Sequence, residues 1–203
     1  CKDVCNRLPT ELIDRNSAKN KASGFCDQEA CFDDILLDGL EERLKNIQQD
    51  TVIVLHTIGS HGPSYFQRYP KEFRAFTPTC DTAEIRTCSN EEIVNTYDNT
   101  ILYTDHIVSS AIDILKKFPD YESSLLYVSD HGESLGENGL YLHAVPYLAA
   151  PKEQTQVPMV LWMSKVMQKE DFIDEACMRQ FAKEKAISHD YLFHSLLGLL
   201  EVN

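Results

Sequence analysis

Residues 123–146 read SSLLYVSDHGESLGENGLYLHAVP. The opening run, SSLLYVSD, is apolar on both alternating faces, which predicts a buried strand over 123–130. It stops abruptly at Asp130-His131-Gly132-Glu133. His143 then follows from a Gly-rich polar stretch. Two further runs share the strand signature. TVIVLHTIG (51–59) is continuous and β-branched, and is broken by Gly59-Ser60-His61-Gly62-Pro63. QVPMVLWMS (156–164) carries Pro158 near its start, where a missing N–H does least harm. Helical spacing fills the intervals. Ile35, Leu36, Leu40, Leu44 and Ile47 recur along 33–49, behind acids in the first turn. Residues 89–118 open with a capping box, Ser89 with Glu92, and continue through Ile93, Tyr97, Ile101, Val108, Ile112 and Leu115 to a stop before Pro119. A last helix spans 188–200, with Ser188 as N-cap. Two-faced apolar strands joined by a long helix predict an α/β fold with a mainly parallel sheet sandwiched by helices. In such sheets function gathers at the C-terminal strand ends, where His61 and Asp130-His131 both fall.

Length and composition bound the partners. The 203 residues suffice for one domain with a sizeable core, and 1–203 reads as part of one domain. No apolar run approaches the ~18 residues of a membrane helix, no signal peptide opens the chain, and the first residue is Cys1. The chain is therefore expected to belong to a longer product. A net charge of −13 argues against nucleic-acid binding and against whole-surface docking on an anionic membrane. Phosphate contact then needs a metal or a local patch. The short basic segment YFQRYPKEFRAF (65–76) supplies Arg68, Lys71 and Arg74, which read as a solvated face or as a patch meeting lipid phosphates.

Six of the seven cysteines stand in close pairs, Cys1/Cys5, Cys26/Cys31 and Cys80/Cys88. None has zinc-finger spacing, and all lie in polar, loop-like sequence. They read as three local disulfides, which places the domain in an oxidising compartment such as the periplasm. Cys177 is left over.

The chemistry sits with three histidines and two acids. Carboxylate and neutral imidazole are the ligands a divalent ion of borderline hardness takes. Adjacent Asp130 and His131 reach one ion only if the backbone turns, which Gly132 permits. His61 and His143 could bind a second ion or a phosphoryl oxygen, and Glu133 could orient an imidazole or contact substrate. The plain alternative is a polar turn with an exposed acid; His61 at a second strand end weighs against it. His56, His106, His189 and His194 read as structural or exposed, Asp105 and Asp190 as serving helix ends or internal hydrogen bonds, and Trp162 and Met163 as core. Tyr141 and Tyr147 flank His143, either lining a groove or anchoring the loop.

The blocks VSDHGESLGENGLYLHAVPYLAAPKEQTQVPM (128–159), LHTIGSHGPSYFQRYPKEFRAFTPTC (55–80) and NTYDNTILYTDHIV (95–108) resemble the phosphoethanolamine–lipid A transferases. That family includes the mobilised colistin-resistance enzymes and belongs to the alkaline phosphatase superfamily. The likeness runs over essentially the whole chain. It implies an alkaline-phosphatase/sulfatase-like fold, here incomplete at the N-terminus, in the periplasmic domain of a bacterial inner-membrane protein. It implies that Asp130 and His131 match ligands of a catalytic zinc. His61 and His143 match histidines of a second zinc or of the donor phosphate, and the cysteine pairs match the family's disulfides. The implied reaction moves phosphoethanolamine from phosphatidylethanolamine to a phosphate of lipid A through a covalent threonine intermediate.

The departures are specific. The family's threonine nucleophile, a glutamate ligand and the N-terminal membrane helices lie upstream of the blocks matched here, and no residue here matches its donor-binding lysine. Thr57, Thr77 and Thr79 sit in no matching motif. The chain alone is therefore expected to be inactive, with half a zinc site. The alternatives are another transferase or hydrolase of the superfamily (phosphoglycerol transferase, phosphatase, sulfatase) or a noncatalytic module binding metal or a phospholipid headgroup.

Overall fold

The computed structural model describes residues 8–14, 16, 17, 20, 23–26, 31–185 and 187–202. The helices are α1 (Leu40–Lys45), α2 (Asn90–Lys116), α3 (Lys152–Thr155), α4 (Glu175–Glu184) and α5 (Asp190–Leu199). The strands are β1 (Ser124–Val128), β2 (Ser134–Leu135), β3 (Tyr141–Leu142) and β4 (Met159–Met163), and β1 pairs with β4 while β2 pairs with β3. The chain divides into two compact units, 1–118 with 125–162, and 119–124 with 163–203.

The first unit is organised by α2. Its capping box forms as the sequence requires: the Ser89 side chain accepts the Glu92 N–H, and the Glu92 carboxylate accepts the Ser89 N–H at 2.7 Å. The face it buries is not the expected stripe. Ile93, Thr96, Asn99, Thr100, Tyr103, Ile107 and Ala111 are buried, while Ile101 is 47% exposed. The reason is hydrogen bonding. The segment that packs on α2 is mostly irregular, so its backbone groups need partners that a strand would otherwise supply. Asn99 Oδ1 accepts the N–H groups of Ala75 and Phe76 at 2.9 Å each, and its Nδ2 donates to Phe76 O. Thr96 Oγ1 accepts the Cys80 N–H at 2.7 Å. Around these contacts Tyr65, Cys80, Ile85, Ile93 and Leu135 form one core cluster, and Tyr69, Tyr103 and Ile107 form another.

Two of the three expected disulfides are present, Cys26–Cys31 and Cys80–Cys88. Cys1–Cys5 lies outside the described residues. Cys177 is free and exposed.

Several expectations are corrected. The helix expected over 33–49 is a 3-10 turn, Asp33–Leu36, followed by α1, because Gly39 takes a left-handed φ of 72° between them. The buried strand expected at 51–59 belongs to no assigned strand, and Val52, Val54 and Ile58 are 57%, 75% and 47% exposed. A β-branched run supplies strand propensity, but a strand also needs a neighbour for its N–H and C=O groups. The Ser129 N–H points to Pro158 O, which puts the end of β1 beside the start of β4, so this pair is antiparallel within a fold expected to be mainly parallel. The connection between them holds a short hairpin and the four-residue α3, with no crossover helix to return the chain in parallel.

In the second unit Ser164 is the tie: its N–H donates to Ser123 O, and its hydroxyl donates to Tyr121 O. Met163 and Met167 are buried there. α4, which periodicity did not reveal, is capped by Asp174 accepting the Cys177 N–H. The last helix starts one residue later than expected, with His189 rather than Ser188 at its N-cap. No helix among the described residues is long and apolar enough to cross a membrane.

Candidate functional site

β1 ends where the polar cluster begins. Ser129 Oγ donates to His131 O, and Asp130 Oδ1 accepts the His131 N–H at 3.0 Å, which closes the turn locally. Gly132 is required by close approach, since a Cβ there would stand 2.0 Å from Glu153 O. Its N–H donates to Gln154 O at 2.9 Å, so the turn lies backbone-on-backbone against α3. The Nδ1 of His131 is 2.8 Å from Gly132 O. A carbonyl only accepts, so Nδ1 carries the hydrogen, and in the neutral ring the lone pair is on Nε2. That Nε2 is 3.8 Å from Asp130 Oδ1. Two donors on one tetrahedral zinc, each ~2 Å from it, stand about 3.3 Å apart. The pair is close to that spacing, and both atoms are of the type zinc takes.

The hairpin β2–β3 brings the chain back so that His143 meets this turn. Leu142 and Ala144, on either side of it, hold φ of 64° and 84°, conformations that non-glycine residues rarely adopt. Nδ1 of His143 donates to Glu133 Oε1 at 3.0 Å, and the Glu133 side chain is 4% exposed. A carboxylate on the inner nitrogen fixes the tautomer and turns Nε2 outward, as outer partners of metal-binding imidazoles do. The rings of His131 and His143 lie 4.0 Å apart, and those of His61 and His143 5.5 Å apart. Beneath them, burial and then the Glu133 carboxylate push the Tyr97 phenol up to about 12, and raise that of Tyr65 further. Both phenols therefore stay neutral beside an acid that orients His143.

His61 comes from the other arm. Both oxygens of buried Asp33 accept backbone N–H groups, from Ile58 and Gly59, at 2.9 Å each. Burial raises the Asp33 pKa, and the two N–H groups oppose that rise. Ser60 Oγ and Thr100 Oγ1 are 2.6 Å apart, and Arg68 Nε donates to His61 O at 2.8 Å. Arg68 thus holds a loop rather than forming a free basic face, and Arg74 pairs with Asp81 at 2.7 Å.

The structure accordingly gathers His61, His131, His143 and Glu133, with Asp130 beside His131 and 87% exposed. No set of three or more His, Cys, Asp or Glu among the described residues is arranged to hold an ion. His106 is structural as expected, with Nε2 3.2 Å from Asp34 and its ring against Phe73. Tyr141 lies under the Arg86 guanidinium at 5.5 Å, while Tyr147 is 83% exposed. Sequence reasoning missed Asp33, Thr100 and Gln154. Asp33 looked like a helix-start acid and Thr100 like a filler between apolar positions. Gln154 lay inside a quoted motif without a chemistry of its own.

The Sulfatase family model matches residues 5–202. The chain is 52% identical over 203 residues to phosphoethanolamine transferase EptA of Escherichia coli K12, covering all of this chain and 36% of that protein. It therefore spans about a third of that relative's length. Among solved structures, the soluble domain of lipooligosaccharide phosphoethanolamine transferase A from Neisseria meningitidis superposes with a TM-score of 0.91 at 48% identity, over 99% of this chain and 59% of that one. The periplasmic domain of EcEptC from Escherichia coli, in a complex with Zn, gives 0.58 at 26% identity over 80% of this chain and 49% of that one. The fold is thus the α/β, alkaline-phosphatase/sulfatase-like architecture expected, and the chain belongs to the Sulfatase family.

Proposed function

We propose that residues 1–203 form part of the periplasmic catalytic domain of a zinc-dependent phosphoethanolamine transferase anchored in a bacterial inner membrane. The donor is phosphatidylethanolamine and the acceptor a phosphate of lipid A. Modification of that phosphate lowers its negative charge, and with it the affinity for cationic polymyxins such as colistin. The observation that carries this reading is the row of imidazoles. His131 and His143 each have Nδ1 engaged, by Gly132 O and Glu133 Oε1, so that each Nε2 can offer its lone pair to a metal or, once protonated, an N–H to a phosphoryl oxygen.

In this reading Asp130 Oδ1 and His131 Nε2 hold one zinc. Bound zinc supplies positive charge that lowers a nucleophile's pKa and neutralises phosphoryl oxygens. His143 and His61 contact phosphoryl oxygens of the donor or a second zinc, and Glu133 holds the His143 ring against rotation. Two donors make an incomplete shell for a four-coordinate ion, so this reading requires further ligands, and it expects the threonine nucleophile from the longer protein. The 203-residue chain by itself is expected to be inactive.

Mass spectrometry of lipid A tests the proposal, using cells that make the longer protein carrying this chain. The expected result is a gain of one phosphoethanolamine that disappears with His131→Ala. Release of sulfate or phosphate from soluble esters, with unmodified lipid A, would favour a hydrolase of the same family instead.

A further inference from the structure

His131 and His143 stand twelve positions apart, on opposite sides of one loop, and something must fix the gap between them. We propose that Gln154 is the positioning residue that sets the spacing of His131 and His143. The inference rests on the reading of these rings as a metal or phosphoryl site.

Gln154 lies on the short α3 and is only 6% exposed. Its side-chain nitrogen donates to Leu142 O at 3.0 Å and to Ser134 Oγ at 2.8 Å. Leu142 O can only accept, so the NH2 end of the amide faces it, and both N–H groups are used. Its own backbone carbonyl accepts the Gly132 N–H at 2.9 Å. One residue therefore grips both sides of the loop. On one side the path runs from Gln154 O through the Gly132 N–H to Gly132 O, which holds His131 Nδ1. On the other it runs from Gln154 Nε2 to the peptide that joins Leu142 to His143. That second grip falls where the backbone is least willing: Leu142 has φ of 64°, and Ala144 beyond His143 has 84°. Left-handed residues other than glycine persist only where the surroundings over-determine them. A buried amide donating to the Leu142 carbonyl is such a constraint. Gly132 has no room for a side chain against α3, so the His131 side cannot retreat either. The 4.0 Å ring spacing is then a property of Gln154 as much as of the histidines.

Gln154→Met keeps the volume and the backbone carbonyl but removes both donors. The nuclear Overhauser contact between the His131 and His143 rings is expected to vanish. Zinc affinity, titrated with the metal alone, is expected to fall about tenfold or more. Ser134→Ala removes one acceptor and keeps the Leu142 bond, so the ring contact is expected to survive it. Where Gln154→Met does not fold, Gln154→Asn withdraws the amide by one methylene and carries the same expectation. A ring contact and zinc affinity equal to wild type, with only a lowered melting temperature, would overturn the proposal. If the wild-type chain binds no zinc, the metal reading falls, and the ring contact alone decides the role of Gln154.

Discussion

Two arms deliver the histidines, and they are built on opposite plans. The arm ending at His131 is a strand: β1 is paired with β4, and its terminal turn lies flat on α3. The arm ending at His61 has a stronger strand sequence, yet Val54 in it is 75% exposed and no described strand pairs with it. Its end is held instead by side chains: the Asp33 carboxylate takes two backbone N–H groups, Thr100 meets Ser60, and Arg68 takes the His61 carbonyl. The lesson is that propensity does not locate a functional side chain. Satisfied backbone groups do, and they are satisfied by main chain in one arm and by buried polar side chains in the other.

The contrast can be broken first at Gly132. Gly132→Ala forces a Cβ onto Glu153 O at 2.0 Å, with backbone on both sides and nothing flexible to yield. A loss of about 3 kcal/mol is expected in urea melts, together with the His131–His143 ring contact. The His61 arm should answer to Asp33 instead. Asp33→Asn keeps one acceptor and turns an NH2 toward a buried N–H, at a cost of about 2 kcal/mol. Its pH dependence has a definite sign. The folded Asp33 pKa is raised by burial, so this group's contribution is fully present below the ordinary carboxylate range. That contribution is lost as pH rises through the raised folded value. The stability gap between wild type and Asp33→Asn should therefore narrow with rising pH across that window, as measured by paired urea melts. The smallest effect is expected from Thr100→Val, which deletes one buried hydroxyl at Ser60 for about 1 kcal/mol and leaves the His131 arm untouched.

The sequence carried the fold class, and it carried individual strands and buried faces less well. Asp130, His131 and His61 stand out in the sequence because function collects at expected strand ends, and the structure brings His61, His131 and His143 within ring contact although the run before His61 forms no strand. The capping box at Ser89 is legible because its chemistry is local. The buried face of α2 was not. An apolar stripe through Ile101 competes with a polar one through Thr96, Asn99 and Thr100, and only the irregular segment packed on the helix decides for the polar one. Gln154 was illegible for the same reason: its partners, Gly132, Ser134 and Leu142, are distant in sequence and need nothing from it that periodicity records.

The central claim is that Asp130 and His131 offer one zinc an oxygen and an outer nitrogen, beside a His143 whose outer nitrogen meets a phosphoryl oxygen or a second zinc. Its most direct test is a long-range proton–nitrogen correlation of the imidazoles as zinc is added. The account predicts that Nε2 of His131 becomes metal-bound while its Nδ1 stays protonated against Gly132 O, and that Asp130→Ala weakens the change. A titration in which His131 does not respond, or in which Nδ1 rather than Nε2 takes the metal, would contradict it.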